Sequence, residues 1–478
     1  MGFTSFPFII FFLIVVLLRA SSERAARSKW LLLAISVCYY LSWSVPCVVL
    51  ILFTSVVDYS IGRKLGQTTD PSTRKRLLIT SVVLSLGSLG FFKYTNFLLE
   101  NLGLALNALG LNLPPQHYDI ILPPGISFYT FASLGYVLDV YYERIPACGS
   151  ARDYTLFITF FPKLLSGPIT RSSELLAQFQ DRVRATAEDV EIGLSYALMG
   201  AVKKMVIADQ IAPHVSLIFS SPTQYDGVTL LMGLLGYAVQ IYCDFAGYSD
   251  MAIGFARILG FRLPENFQMP LSARSITDFW RRWHMTLSRW FRDYLFLPLE
   301  MVTRTNPYPN LRVSINIVLM MLLVGLWHGP SWNFVIFGGI HGLALMIHKL
   351  WTVWNPLKSI AKHALVKCVW WPCAHLLTLS VVLVAFVFFR APTLPSATSY
   401  LYQLLSWNRS GISLDSPYIL IAVIAVFLVH LVVNKDRNWA LELSERTVSV
   451  RIVGYSTLLL LLVLLGATDS SPFIYFQF

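Results

Sequence analysis

The histidines at positions 284, 328 and 341 are the residues of this chain best suited to chemistry. They lie 44 and 13 residues apart, among apolar and aromatic neighbours. A neutral imidazole accepts a proton near pH 7, so it can act as general base toward a hydroxyl that must become a nucleophile. Any one of the three would serve equally well as a structural histidine, hydrogen-bonded between helices. Their convergence from one short region favours function, because an ionisable group in apolar surroundings is costly and usually faces a cavity or a partner.

Two other clusters carry charge into greasy sequence. "IYCDFAGYSDMAIGFARILGF" (241–261) sets Asp244 and Asp250 among apolar residues, interleaved with Gly247 and Gly254. That pattern suits a close helix contact with carboxylates paired to a cation, or an acid used in catalysis. "RSITDFWRRWHMTLSRWFRDYLFLPL" (274–299) holds five arginines and three tryptophans with His284 among them. On a helical wheel Ile276, Phe279, Trp280, Trp283, Leu287, Trp290, Phe291 and Tyr294 share one arc. Asp278, Arg281, Arg282, Arg289 and Arg292 share the other, which predicts one helix over 276–294 lying in a membrane interface. Its arginines either anchor anionic head groups or gather the phosphates of a substrate, and Lys203 and Lys204 pose the same choice.

Several chemistries lose their support. There is no P-loop, no Gly-rich dinucleotide fingerprint, no G-x-S-x-G and no HExxH, and the histidine spacings match no zinc signature, so no metal site is expected. The six cysteines show no disulfide or metal spacing.

The elements that must position these residues are membrane helices. Of 478 residues 55% are apolar and only 13% charged, and mean hydropathy is +0.60. A soluble protein is about a quarter charged, whereas this chain has repeated apolar runs long enough to cross a bilayer. The runs are continuous, not alternating, which argues against a barrel. A net charge of +11 follows from Lys and Arg in cytoplasmic loops, so no nucleic-acid partner is inferred. Residues 5–18, followed by basic residues, read as a first span with its N-terminus outside and not as a cleaved leader.

Residues 30–62 are too long for one span and contain Pro46, which predicts a hairpin of two short helices. A span starts near Leu77. "YTLFITFFPKLLSGP" is broken at Pro162 and at Gly167–Pro168, a pattern allowed at membrane depth only inside protein or beside a wet cavity. Residues 171–191 read as a cytoplasmic amphipathic helix, followed by spans at 192–209, 227–243 and 245–261. Residues 262–312, including Arg304, are placed in the cytoplasm. "LWHGPSWN" (326–333) divides 313–348 into two helices, putting His328 about 24 Å along the first. Spans near 365–389, 417–433 and 452–466 complete an all-α, polytopic protein of about 11–13 membrane helices, some short or re-entrant, in one domain over 1–478.

"DFWRRWHMTLSRWFRDYLFLPL" with "GLWHGPSWNFVIFGGIHG" resembles the membrane-bound O-acyltransferase (MBOAT) family, in its bacterial alginate O-acetyltransferase branch of the AlgI and PatA type. "LPPGISFYTF" (122–131), "FFPKLLSGPI" (160–169), "KKMVIADQIA" (203–212), "YCDFAGYSDMAIG" (242–254), "FVFFRAP" (386–392) and the closing "PFIYFQF" (472–478) extend the likeness over nearly the whole chain.

The resemblance implies an MBOAT fold with a central tunnel. It also implies transfer of an acetyl group from a cytoplasmic thioester, acetyl-CoA as co-substrate with no bound cofactor, toward a hydroxyl reached through the membrane. It further implies a bacterial inner membrane location, a periplasmic SGNH-type acetyltransferase partner and a polysaccharide as the indirect acceptor. His328 of "LWHG" matches the family's deep histidine and His284 of "RRWH" its second motif position, making both catalytic candidates. Arg281, Arg282, Trp283, Asp244, Tyr248, Asn333 and His341 are the candidate substrate-binding residues. D-alanyl transfer to teichoic acid is the alternative within the family. A proton-coupled exporter and a secretion-complex scaffold are the alternatives outside it.

Overall fold

The computed structural model describes residues 1–20, 25–111, 114, 117–180, 185–303, 309–354, 364–407, 409–432, 438–467 and 473–474. Arg304 and all but Phe473 and Ile474 of the closing stretch lie outside them. The regular secondary structure of the described residues is helical, apart from one isolated extended bridge between Tyr225 and Ile412. Among them, seven helices are long and apolar enough to cross a membrane, and Phe6–Ala20, Ser28–Leu41 and Pro417–Val432 are shorter apolar helices.

The fold divides into two compact units, Met1–Ala197 with Tyr248–Pro264, and Leu198–Gly247 with Glu265–Phe478. In the first unit, residues 30–62 form the expected hairpin, Ala25–Leu41 and Val45–Leu65. Pro46 opens the second helix, where its missing N–H leaves no bond unmade. The buried Asp58 carboxylate accepts from the hydroxyls of Ser81 (2.7 Å), Ser85 (3.3 Å) and Ser133 (2.5 Å), which ties three helices together. The "FFPKLLSGP" break is also present, as Ala151–Thr159 followed by Phe161–Leu164. Gly125 meets it with φ of 76°, and a Cβ there would strike the Leu164 carbonyl oxygen, so only glycine fits.

Six helices bear on the site: α1 (Gly227–Ile258), α2 (Ile276–Arg282), α3 (Met285–Phe291), α4 (Pro309–His328), α5 (Trp332–Trp354) and α6 (Ala364–Arg390). Two differ from expectation. The spans at 227–243 and 245–261 are one 32-residue helix, because nothing at Cys243-Asp244-Phe245 removes a backbone donor or demands a special dihedral. The helix over 276–294 is two helices, and the cause is His284, whose φ of 41° and ψ of 53° interrupt the chain between them.

The hairpin of α4 and α5 divides at "LWHGPSWN" as expected. Its helices touch through glycine. A Cβ on Gly325 would meet the Phe334 carbonyl oxygen, and one on Gly338 the Met321 carbonyl oxygen. Lipid tails are as apolar as leucine, so helices in a bilayer associate chiefly by such close packing.

Candidate active site

His328 is the last residue of α4, ahead of the Gly329-Pro330-Ser331 break. A helix C-terminus carries partial negative charge and favours a cation. The ring is 3% exposed and lies against Trp327 (5.1 Å between centroids), Phe337 (5.6 Å) and Phe389 (5.1 Å). Aromatic walls of this kind keep water away from a reacting centre.

His284 lies 6.5 Å from His328, ring centroid to centroid. It is fully buried, against Phe245 (4.7 Å), Trp327 (5.8 Å) and Phe267 (6.3 Å). Burial drives its pKa down from the usual 6.5 to about 3, so the ring is neutral at pH 7. Its left-handed backbone is sparsely populated by residues other than glycine, and such strain clusters at functional sites.

The strain is held by a clamp. Trp283 N–H donates to the Phe279 carbonyl (2.8 Å), Met285 N–H to the Asn266 carbonyl (2.9 Å) and Gln268 N–H to the Arg282 carbonyl (2.9 Å). The Asn266 side-chain oxygen accepts from the Thr286 hydroxyl at 2.8 Å. Asn266 was missed by sequence reasoning, because it sits in an aperiodic loop, "PENFQMP", where nothing marks it.

The other expected residues separate into groups. His341, on α5, is fully buried among Phe337 (4.7 Å), Trp280 (5.1 Å) and Phe279 (5.9 Å). Phe337 thus lies against both His341 and His328. Asn333, also buried, donates through Nδ2 to the Ala391 carbonyl at 2.8 Å. Its Oδ1 has no hydrogen-bond partner among the described residues. Trp283 is buried and packs on Phe267, Phe279 and Phe386. Arg281 is exposed, whereas Arg282 is held by Asp278 at 2.7 Å. Tyr248 belongs to the first unit, stacked on Phe3 at 4.5 Å.

Asp244 lies on the same helix as Phe245, and its carboxylate is engaged twice. Oδ1 is 2.6 Å from the Lys204 ammonium, which also pairs with Asp209 at 2.8 Å. Oδ2 accepts from the Ile474 backbone N–H at 2.8 Å. Of the two readings for this acid, the geometry matches the paired one. Lys204, one of the two ambiguous lysines, is the buried cation of that pair.

In sum, the site offers a neutral imidazole at a strained turn, a second imidazole at a helix C-terminus, and an aromatic enclosure. That is equipment for moving a proton between oxygen and nitrogen with water excluded. The membrane-bound O-acyltransferase family model matches residues 149–387, a range that contains all three histidines and Asp244. The chain belongs to this family.

It is 38% identical over 400 residues to the "Probable alginate O-acetylase AlgI" of Azotobacter vinelandii, covering 83% of this chain and 76% of the relative. It is 35% identical over 415 residues to the peptidoglycan O-acetyltransferase of Helicobacter pylori, covering 80% and 74%. A teichoic acid D-alanyltransferase of Bacillus subtilis is more distant, 29% identical over 255 residues, 50% of this chain and 63% of that one. The chain is therefore a multi-pass membrane protein and an O-acyltransferase that uses an acyl donor.

Proposed function

We propose that this acyltransferase moves an acetyl group from cytoplasmic acetyl-CoA to a hydroxyl presented from the outer side of a bacterial inner membrane. The observation that carries the proposal is the pair of buried histidines, His328 at a helix C-terminus and His284 at a strained turn, 6.5 Å apart. His328 takes the proton of the acceptor hydroxyl as that oxygen attacks the thioester carbonyl carbon. The tetrahedral intermediate collapses with loss of the CoA thiolate, which takes up the proton that His328 received. The products are an acetyl ester and CoA thiol, and the base is restored. His284, neutral and fixed, orients the first imidazole or the thioester.

The relatives named for alginate and peptidoglycan O-acetylation support a carbohydrate end-acceptor. A periplasmic SGNH-type acetyltransferase would complete delivery to it. The test is supply of radiolabelled acetyl-CoA to inverted vesicles, whose cytoplasmic face is outward, against sealed right-side-out ones. Thiol release and label capture in the inverted vesicles alone is the expected result. Turnover only with a D-alanyl thioester on a carrier protein would replace the acetyl reading. Transport without thioester consumption would replace the enzyme by an exporter.

A further inference from the structure

α2 and α5 are joined by two side-chain hydrogen bonds that no sequence motif announces. Thr277 Oγ1 lies 2.9 Å from His348 Nδ1, and Trp280 Nε1 lies 3.3 Å from His341 Nδ1. Residues 277 and 280 share a face of α2, and 341 and 348 share a face of α5, because three and seven residues are near-integral turns. The loop before α2 is held as well, since His375 Nδ1 is 3.0 Å from the Ala273 carbonyl, which can only accept.

The Trp280–His341 bond fixes a tautomer. An indole N–H is only a donor, so His341 Nδ1 must be the acceptor, and the neutral ring carries its proton on Nε2. Nε2 has no hydrogen-bond partner among the described residues. The two nitrogens therefore suggest two different jobs. Nδ1 faces the helix whose end sets His284, four residues beyond Trp280, whereas Nε2–H is the only atom of the ring still able to donate to substrate.

We propose that His341 is a positioning residue, acting through Nδ1, which holds Trp280 and with it the end of α2 that forces His284 into its left-handed turn. It touches the reaction through His284 and not by itself. This inference rests on the acyl-transfer reading for its kinetic test.

Asparagine and glutamine separate the two nitrogens, because the asparagine Oδ1 falls near the place of Nδ1 and the glutamine amide near that of Nε2. His341→Asn should keep kcat within about twofold. His341→Gln should lower kcat by up to about tenfold, the worth of one hydrogen bond, with KM for the donor unchanged. In a Trp280→Phe background the difference between the two variants should vanish.

The reverse pattern, with His341→Gln active and His341→Asn raised in KM, would overturn the proposal in favour of an Nε2–H contact to substrate. Equal loss or equal retention in both would overturn it too. Thermal unfolding of the same four proteins in detergent gives a second reading. Coupling between positions 280 and 341 must appear there even if the wild-type protein refuses acetyl-CoA, a result that would reject the donor and leave this inference standing. Additive effects in that cycle would reject the bond itself.

Discussion

At the level of single residues the two catalytic candidates differ in what their surroundings do to a proton. His284 is held neutral by burial, with its pKa lowered to about 3. Unfolded chain binds a proton near 6.5, so the stability this group contributes is present above that pH and is lost as pH falls toward 3. The protein in detergent should therefore lose up to about 2 kcal/mol from this residue between pH 7 and pH 5. His284→Asn should show a flatter profile in thermal unfolding over that range, and an unchanged slope would show that the ring is not held neutral.

The arginines call for a narrower expectation than the sequence suggested. Arg282 is committed to Asp278 and Arg292 to Asp293, so Arg281 is the better candidate for donor phosphates. Arg281→Ala should raise the apparent KM for donor about tenfold, more than Arg292→Ala does. Equal effects that anionic lipid reverses would mark both as lipid anchors.

Elements explain how such residues come to face one another. The helical hairpin of α4 and α5 was legible from "LWHGPSWN", because adjacent Gly and Pro after an apolar run favour a helix end. The split of α2 from α3 was not legible. The aromatic arc over 276–294 continues unbroken through His284, and its residues are indeed mostly buried. A period identifies a buried face, but a one-residue left-handed turn leaves that face almost unchanged.

The closeness of α4 and α5 depends on glycine. Gly338→Leu would drive a side chain into the Met321 carbonyl oxygen, separating the helix that ends in His328 from the one that carries Asn333 and His341. It should cost about 1–3 kcal/mol of stability, the range seen for overpacking, and most of the activity. A melting temperature within about 0.5 °C of wild type, roughly half a kcal/mol for a chain this long, would show that the hairpin opens freely.

For the whole molecule, composition together with long, continuous apolar runs predicted an all-helical membrane protein, and the positive residues predicted which loops face the cytoplasm. Two compact units were not foreseen, because no linker-like stretch separates them and one helix, Gly227–Ile258, supplies residues to both. The Lys204–Asp209–Asp244 cluster was half visible, since Lys204 and Asp244 were conspicuous in apolar sequence while their pairing across 40 positions was not. Single cysteines at Arg281 and Arg262 should react with a membrane-impermeant maleimide only after the cytoplasmic side is opened. Labelling of intact cells at either position would place this region on the wrong side for a CoA donor.

The central claim is that His328 is the proton acceptor of acyl transfer, and it is tested most directly by turnover of purified protein in liposomes. CoA thiol release from acetyl-CoA in the presence of a hydroxyl acceptor is compared for wild type, His328→Ala and His284→Ala, each first shown to be monodisperse with an unchanged melting curve. Loss of a general base costs roughly 10²–10⁴-fold. His328→Ala should fall at or beyond that range, and His284→Ala should fall severely but less far. A well-folded His328→Ala protein that turns over near the wild-type rate would contradict the assignment.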